Sequence, residues 1–213
     1  MRILILCALL LCFCQKQRTE KAETPALPEN KVTPLAQKAT TNKSATALTP
    51  GESLYQLEMM LSDQDGKTFP LTSLRGQLVI VSMFYAHCPN ACPMLIHKIQ
   101  TIEKKLTDTE RSNLKVVLVS LAPDADTDSV LKGLAKKQEV DETRWRFTRT
   151  TENSVRDLSA VLGINYRKLD DGNYNHSSII TLLDRQGLPV AKMEGLADPI
   201  EPILERFRAE LSR

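Results

Sequence analysis

The sequence has few cysteines, few histidines, few aromatic residues and almost no net charge. Its 213 residues include five cysteines, three histidines and 5% aromatics, and 28 basic side chains against 26 acidic ones leave a net charge of +2. A domain that neutralises phosphates needs a clear excess of clustered Lys and Arg. The charge balance therefore argues against a nucleic-acid partner and predicts an ordinary globular chain.

The few cysteines fall into two groups. Cys7, Cys12 and Cys14 lie within the first fourteen residues, and only Cys88 and Cys92 remain for the rest of the chain. A small exported fold that is held together by disulfides needs several cysteine pairs. The single remaining pair therefore predicts one site and not a disulfide framework.

The N-terminus has the pattern of an export signal. Arg2 precedes an uncharged run from Ile3 to Cys14, which has the length of a secretory apolar region and falls short of the about 20 residues that span a bilayer. We therefore predict an export signal over residues 1–14. Cysteines at the end of such a run are typical of bacterial lipoproteins and make Cys14 the candidate lipid anchor, although Phe13 stands where a small residue is usual. An uncleaved short anchor is the alternative.

Residues 15–50 have the composition of a tether. They contain no aromatic residue and no glycine, but they hold four of the chain's eleven prolines. Such a segment cannot bury enough apolar surface to offset the entropy lost on ordering. We expect a disordered tether that links the membrane to a folded domain over residues 51–213.

Strand and helix patterns alternate along residues 51–213. Strands are predicted at Leu78–Tyr85, Leu114–Leu121, Trp145–Thr148, Ser178–Leu183 and Pro189–Met193, and helices from Pro93 onward, at Thr127–Gln138, at Glu152–Leu162 and at Pro199–Leu211. The turn Asp184–Gly187 joins the last two strands into a hairpin. This order predicts an α/β fold, with a mixed sheet flanked by helices and an added β-hairpin before the C-terminal helix.

Cys88 and Cys92 lie in the turn between a buried strand and a helix. Pro93 suits the first helical position, which predicts Cys92 at the N-cap and Cys88 just before it. The positive end of the helix dipole stabilises anions, so we expect the pKa values of both thiols to be lowered. Two thiolates at this spacing can bind a metal ion, either copper or zinc, or take part in disulfide exchange. The alternative is a structural disulfide with no further role.

The further ligands of a two-thiolate metal site would have to be histidines. His97 falls on the polar stripe of the predicted helix and is expected at the surface. His87 adjoins Cys88 and is expected to point away from it. His176 lies in a polar loop before the strand Ser178–Leu183. Such a histidine is more often a surface residue than a ligand, but loops at one edge of such a sheet can reach the helix N-terminus, so both His176 and His87 stay open as a third ligand.

Two motifs carry a family resemblance. Cys88–Pro93 reads C-P-N-A-C-P, and Asn175–Ser177 precedes the turn-forming segment Leu183–Gly187, with a weaker match at Ser120–Thr127. In these motifs, and over nearly the whole domain, the sequence resembles the Sco/SenC proteins, which are copper chaperones for cytochrome c oxidase assembly with a thioredoxin-like fold.

The resemblance implies a copper site. Its ligands would be Cys88, Cys92 and His176, holding Cu(I) with Cu(II) within reach, and the two cysteines would also form a redox disulfide. The implied partners are the copper-accepting subunit of cytochrome c oxidase or another copper protein, and a thioredoxin-like reductant. The implied location is the periplasmic side of the membrane in a bacterial cell envelope.

An enzymatic or sensing role is the alternative to copper delivery. A thiol–disulfide oxidoreductase would need only the two cysteines, but the usual redox motif has two and not three residues between them. A copper or redox sensor would use the same residues.

The sequence departs from the family pattern at three positions. Ala122 stands where the family usually has Asp, Asn175 where it commonly has Asp, and His87 at a position that is not usually histidine. The implied ligands are unaffected, whereas the surroundings of the metal and the docking of partners differ.

Overall fold

The computed structural model describes residues 52–213. The predicted export signal (1–14), the lipid anchor Cys14 and the tether (15–50) lie outside the described residues. Within residues 52–213, no helix is long and apolar enough to span a bilayer.

A seven-stranded mixed sheet forms the centre of the described domain. The nine strands are β1 (Met60–Asp63), β2 (Thr68–Pro70), β3 (Leu78–Phe84), β4 (Leu114–Ser120), β5 (Trp145–Arg149), β6 (Tyr166–Lys168), β7 (Tyr174–His176), β8 (Ile180–Leu183) and β9 (Pro189–Met193). The main sheet has the order β2-β1-β5-β4-β3-β8-β9, and β6 pairs with β7 in a separate hairpin. Strands β3, β4 and β5 are parallel neighbours, whereas the other pairs are antiparallel.

Five α-helices accompany the strands within residues 52–213. They are α1 (Ala91–Lys104), α2 (Asp108–Ser112), α3 (Asp128–Lys137), α4 (Glu152–Leu162) and α5 (Glu201–Leu211), with short 3-10 turns at Leu54–Gln56 and Leu71–Leu74.

Strand β3 is buried along its whole length because both faces of the sheet are covered. Its side chains alternate between two hydrophobic clusters, as the period of a strand requires. Leu78, Ile80 and Phe84 pack with α1, α3 and α5. Val79 and Val81 pack on the other face with α4 and the segment before β1. This burial explains why the sequence of β3 is an unbroken apolar run.

Most of the predicted elements are confirmed. Helix α4 has the predicted bounds, because the Thr151 hydroxyl accepts a hydrogen bond from the Ser154 N–H and Gly163 ends the helix with φ of 70°. Helix α3 lies within its predicted range, Thr127–Gln138, and these two residues are its N-cap and C-cap. Strands β8 and β9 form the predicted hairpin. The α/β fold with a mixed, helix-flanked sheet is therefore confirmed.

The predicted start of α1 was wrong. The helix begins at Ala91 with Asn90 as its N-cap, so Cys92 and Pro93 are its second and third residues. The first hydrogen bond along this helix runs from the Met94 N–H to the Asn90 carbonyl, at 3.5 Å. A proline at the third position therefore gives up no helical hydrogen bond, just as one at the first position would not.

Candidate metal centre

The two domain cysteines lie where β3 ends and α1 begins. Cys88 is half-buried in the connecting loop, where its N–H donates to the Tyr85 carbonyl at 3.3 Å. Cys92 lies in the first turn of α1 and is 3% exposed. This loop follows the carboxyl end of a parallel strand, which is the usual place for a ligand site in α/β folds.

His176 reaches the cysteines from a short hairpin. It is the last residue of β7, where it pairs with Tyr166 of β6. The sequence interpretation placed it in a loop, because a strand of three residues that includes Asn175 and His176 is too short and too polar to show an apolar pattern. The hairpin brings the imidazole Nε2 to 3.7 Å from the Cys92 Sγ.

The three donor atoms converge on one point. The Cys92 N–H donates to the Cys88 Sγ at 3.3 Å, and both thiols are free. The two Sγ atoms and a ring nitrogen of His176 all lie within 4.8 Å of one another, the spacing of a group that can hold a metal ion. The structure thus brings together the three residues that the sequence analysis selected.

The orientation of His176 leaves the correct nitrogen free for a metal. Its Nδ1 lies 3.1 Å from the Ser177 carbonyl, so the Nδ1–H donates there and Nε2 keeps its lone pair toward Cys92. The ring packs edge-on against Tyr85, with centroids 5.9 Å apart. Burial lowers the pKa of His176, with a smaller opposing effect of the Ser177 carbonyl. The imidazole is therefore neutral at neutral pH, as a ligand must be.

The predicted lowering of both thiol pKa values is confirmed for Cys88 and wrong for Cys92. Burial acts to raise the pKa of Cys88, but hydrogen bonds from the N–H groups of Cys92 and Asn90 outweigh it, so that its pKa is lowered. Burial raises the pKa of the Cys92 thiol well above its ordinary value, and the nearby Cys88 and Asp126 raise it further. The helix N-terminus is not enough to offset this desolvation.

The difference between the two thiols predicts unequal reactivity. At pH 7.5 we expect iodoacetamide to alkylate Cys88 at least about ten times faster than Cys92, because the thiolate reacts and Cys88 is the more accessible and more acidic of the pair. Peptide mass spectrometry of the reduced, metal-free protein measures both rates. Equal rates would contradict this picture of the site.

The other two histidines lie outside the three-donor group. His97 is exposed on α1, as predicted. His87 is 71% exposed, and its Nδ1 lies 3.8 Å from the Asp126 Oδ1. The sequence analysis did not select Tyr85 and Tyr174, whose rings lie 5.4 Å apart beside the site. An aromatic residue directly after a buried strand was the available signal for Tyr85.

The donor set defines the chemistry of the site. Two thiolates and one imidazole prefer soft or borderline ions, with Cu(I) and Zn(II) foremost. In residues 52–213 the group contains three donors, which leaves coordination positions that an incoming ligand can occupy.

Known proteins share this fold. A SCO2-like protein of Rickettsia conorii is 27% identical over 135 residues, which cover 60% of this chain and 63% of the relative. The chain therefore matches less than two thirds of that relative's length. The structure of Bradyrhizobium japonicum ScoI with copper bound is 20% identical, with a TM-score of 0.61, and the match covers 76% of this chain and 99% of that one.

A second solved structure concerns a disulfide switch in BsSco, described as a member of the Sco family of cytochrome c oxidase assembly proteins. It is 20% identical, with a TM-score of 0.63, and the match covers 72% of this chain and 91% of that one. Likeness at these identities shows the fold, and it confirms the thioredoxin-like architecture.

The family itself follows from the sequence match. The model of the SCO1/SenC family matches residues 49–212, which include the whole described domain except its last residue. This chain belongs to the SCO1/SenC family.

Proposed function

We propose that this protein is a copper metallochaperone that delivers copper to, or helps to mature, the binuclear copper site of cytochrome c oxidase. One observation carries the proposal: the Sγ atoms of Cys88 and Cys92 and a ring nitrogen of His176 all lie within 4.8 Å of one another. The relatives support it, because Bradyrhizobium japonicum ScoI was solved with copper bound and BsSco is described as belonging to a family of cytochrome c oxidase assembly proteins.

Release is as important as binding for a chaperone. Cys88 is half-buried at the surface end of the site, so an acceptor's thiolate can approach the metal from that side. A three-donor site lets the incoming ligand bond before an outgoing one leaves. We therefore propose that Cu(I) leaves by stepwise ligand exchange that starts at Cys88.

The raised pKa of Cys92 links copper binding to pH. Its thiol is protonated at neutral pH, so copper binding must release that proton, whereas His176 is already neutral. One released proton makes the apparent Cu(I) affinity rise about tenfold per pH unit, and protonated Cys88 thiol would add to this. Competition with a Cu(I) chelator of known pH dependence, from pH 7 to 8.5, measures the slope. An affinity that does not change with pH would contradict the prediction.

The N-terminal region would hold the domain near its partner. We propose that residues 1–14 direct export to the periplasmic side of a bacterial membrane, with Cys14 as the lipid anchor, and that residues 15–50 form a flexible tether. A flexible chain of 36 residues has a root-mean-square span of about 35 Å. Such a span lets the domain search for a membrane-bound acceptor.

Copper transfer tests the proposed function. Cu(I)-loaded protein would be mixed anaerobically with the reduced copper-binding domain of the oxidase subunit that carries the binuclear site, and copper in each protein would be measured after rapid separation. We expect wild type and His97→Ala, an exposed control, to transfer copper. If copper stayed on this protein while a small chelator removed it readily, delivery to this acceptor would be wrong.

The asymmetry of the two thiols favours thiol–disulfide exchange as a second candidate function. The Cys88 thiolate would attack an acceptor disulfide, which forms a mixed disulfide and releases one acceptor thiolate. The Cys92 thiolate would then attack the Cys88 sulfur and release the second acceptor thiolate. The acceptor is left reduced, and this protein holds a Cys88–Cys92 disulfide. A thioredoxin-like reductant would then restore the pair. Turnover of a disulfide substrate by His176→Ala separates the two functions, since exchange should be unchanged without the imidazole whereas copper binding should be weakened.

A further inference from the structure

Asp126 is a buried carboxylate with one unsatisfied oxygen. It is 0% exposed and lies just before α3. Its Oδ2 accepts hydrogen bonds from the Ala86 N–H at 2.9 Å and the Ser120 hydroxyl at 2.6 Å. Its Oδ1 has no hydrogen-bond partner in residues 52–213. Burying a carboxylate oxygen without a partner costs free energy of folding unless a cation or a hydrogen-bond donor contacts that oxygen.

The unsatisfied oxygen faces His87 beside an acidic cavity. The His87 Nδ1 lies 3.8 Å from it, and the His87 side chain is 71% exposed. Both residues line a cavity of about 250 Å³ that also includes Tyr85, so the cavity adjoins the thiol centre. The other charged residues that line it are Asp124, Glu152, Lys168 and Asp171. Four carboxylates against one lysine make the cavity a place for a cation.

We propose that His87 Nδ1 and Asp126 Oδ1 form a second metal site, which takes Cu(II), beside the Cys88, Cys92 and His176 centre. Bonds of about 2.0–2.2 Å from a metal to imidazole nitrogen and carboxylate oxygen span the 3.8 Å between these two atoms with a wide angle at the metal. Such an ion would also supply the partner that the buried oxygen lacks.

The donor type selects the oxidation state and the metal. One imidazole and one carboxylate favour divalent copper among the first-row ions, whereas the two thiolates of the neighbouring centre favour Cu(I). Two protein ligands leave several positions to water, so the ion is exchangeable. The choice of copper, and not the existence of a cation site, rests on the proposed function. The site gives a specific role to His87, whose Nδ1 lies 3.8 Å from the Asp126 Oδ1.

Cu(II) titration followed by electron paramagnetic resonance tests this site apart from the thiol centre. The background is the full chain with all five cysteines changed to serine and His176→Ala, so that His87 and His97 are its remaining histidines. We expect one Cu(II) per chain with coupling to one nitrogen. His87→Ala or Asp126→Asn in this background should weaken binding at least about tenfold, and His97→Ala should not.

The His87 side chain is exposed, so His87→Ala should fold even if Asp126→Asn, a change at a buried residue, does not. The proposal would be overturned if the background protein bound no Cu(II). It would also be overturned if His87→Ala left Cu(II) binding by that protein unchanged. A Cu(I) titration of His87→Ala with the thiol centre intact should match wild type, and a loss there would place His87 in the thiol centre instead. If the wild-type protein failed to bind Cu(I), the proposed function would be wrong, whereas the proposed Cu(II) site would be unaffected.

Discussion

Changing Cys92 to serine is expected to weaken Cu(I) binding at least about a thousandfold, which corresponds to about 4 kcal/mol. Cys92 is the buried member of the pair and lies between the Cys88 thiol and the His176 ring. Serine is nearly isosteric, so the fold is retained, but its hydroxyl is a hard donor that stays protonated at neutral pH. Competition titration of the reduced protein with a tight Cu(I) chelator measures the loss.

The other ligand substitutions should form a graded series with Cys92→Ser. We expect Cys88→Ser to lose a similar amount, because either change leaves a single thiolate. His176→Ala should lose less, about 10- to 100-fold, since both thiolates remain. The matched control is His97→Ala, an exposed histidine on the same helix as Cys92. Wild-type affinity in any one of the three ligand variants would remove that residue from the site.

Phe84→Ala should destabilise the reduced, metal-free protein by about 3–5 kcal/mol. Phe84 is the last residue of β3, it is 0% exposed, and its ring packs edge-on against Phe147 with centroids 5.5 Å apart. The substitution leaves a cavity where the central sheet meets α1. Urea unfolding followed by circular dichroism measures the change in the free energy of unfolding.

The control for this substitution is Met60→Ala. Met60 is 51% exposed on β1, so its truncation should change stability by no more than about 0.5 kcal/mol. A Phe84→Ala variant as stable as Met60→Ala would contradict the burial of β3 on the face that packs with α1, α3 and α5.

Local signals predicted much of the fold and the members of the metal centre. The cap residues around α4, Thr151 and Gly163, mark its bounds because a hydroxyl and a left-handed glycine act on neighbouring backbone groups. The cysteine pair stood out because no other cysteine lies in the domain, and His176 stood out through the position of its loop at the sheet edge and through the family motif.

The properties that the sequence did not predict depend on contacts between distant segments. The pKa of Cys92 is raised by burial beneath β7 and the loop after β3, and no local pattern carries this information. Burial of Asp126 is equally hidden, because an acidic residue in a polar segment normally predicts exposure. Helix α1 was misplaced by two residues because Pro93 is tolerated at several positions of a first turn.

X-ray absorption at the copper edge of the Cu(I)-loaded wild-type protein tests the central claim most directly. If Cys88, Cys92 and His176 together hold the metal, the first coordination shell contains two sulfur atoms and one nitrogen. The same measurement on His176→Ala should lose the nitrogen and keep both sulfurs. A wild-type shell with one sulfur or none, or a nitrogen that persists in His176→Ala, would contradict the proposed centre.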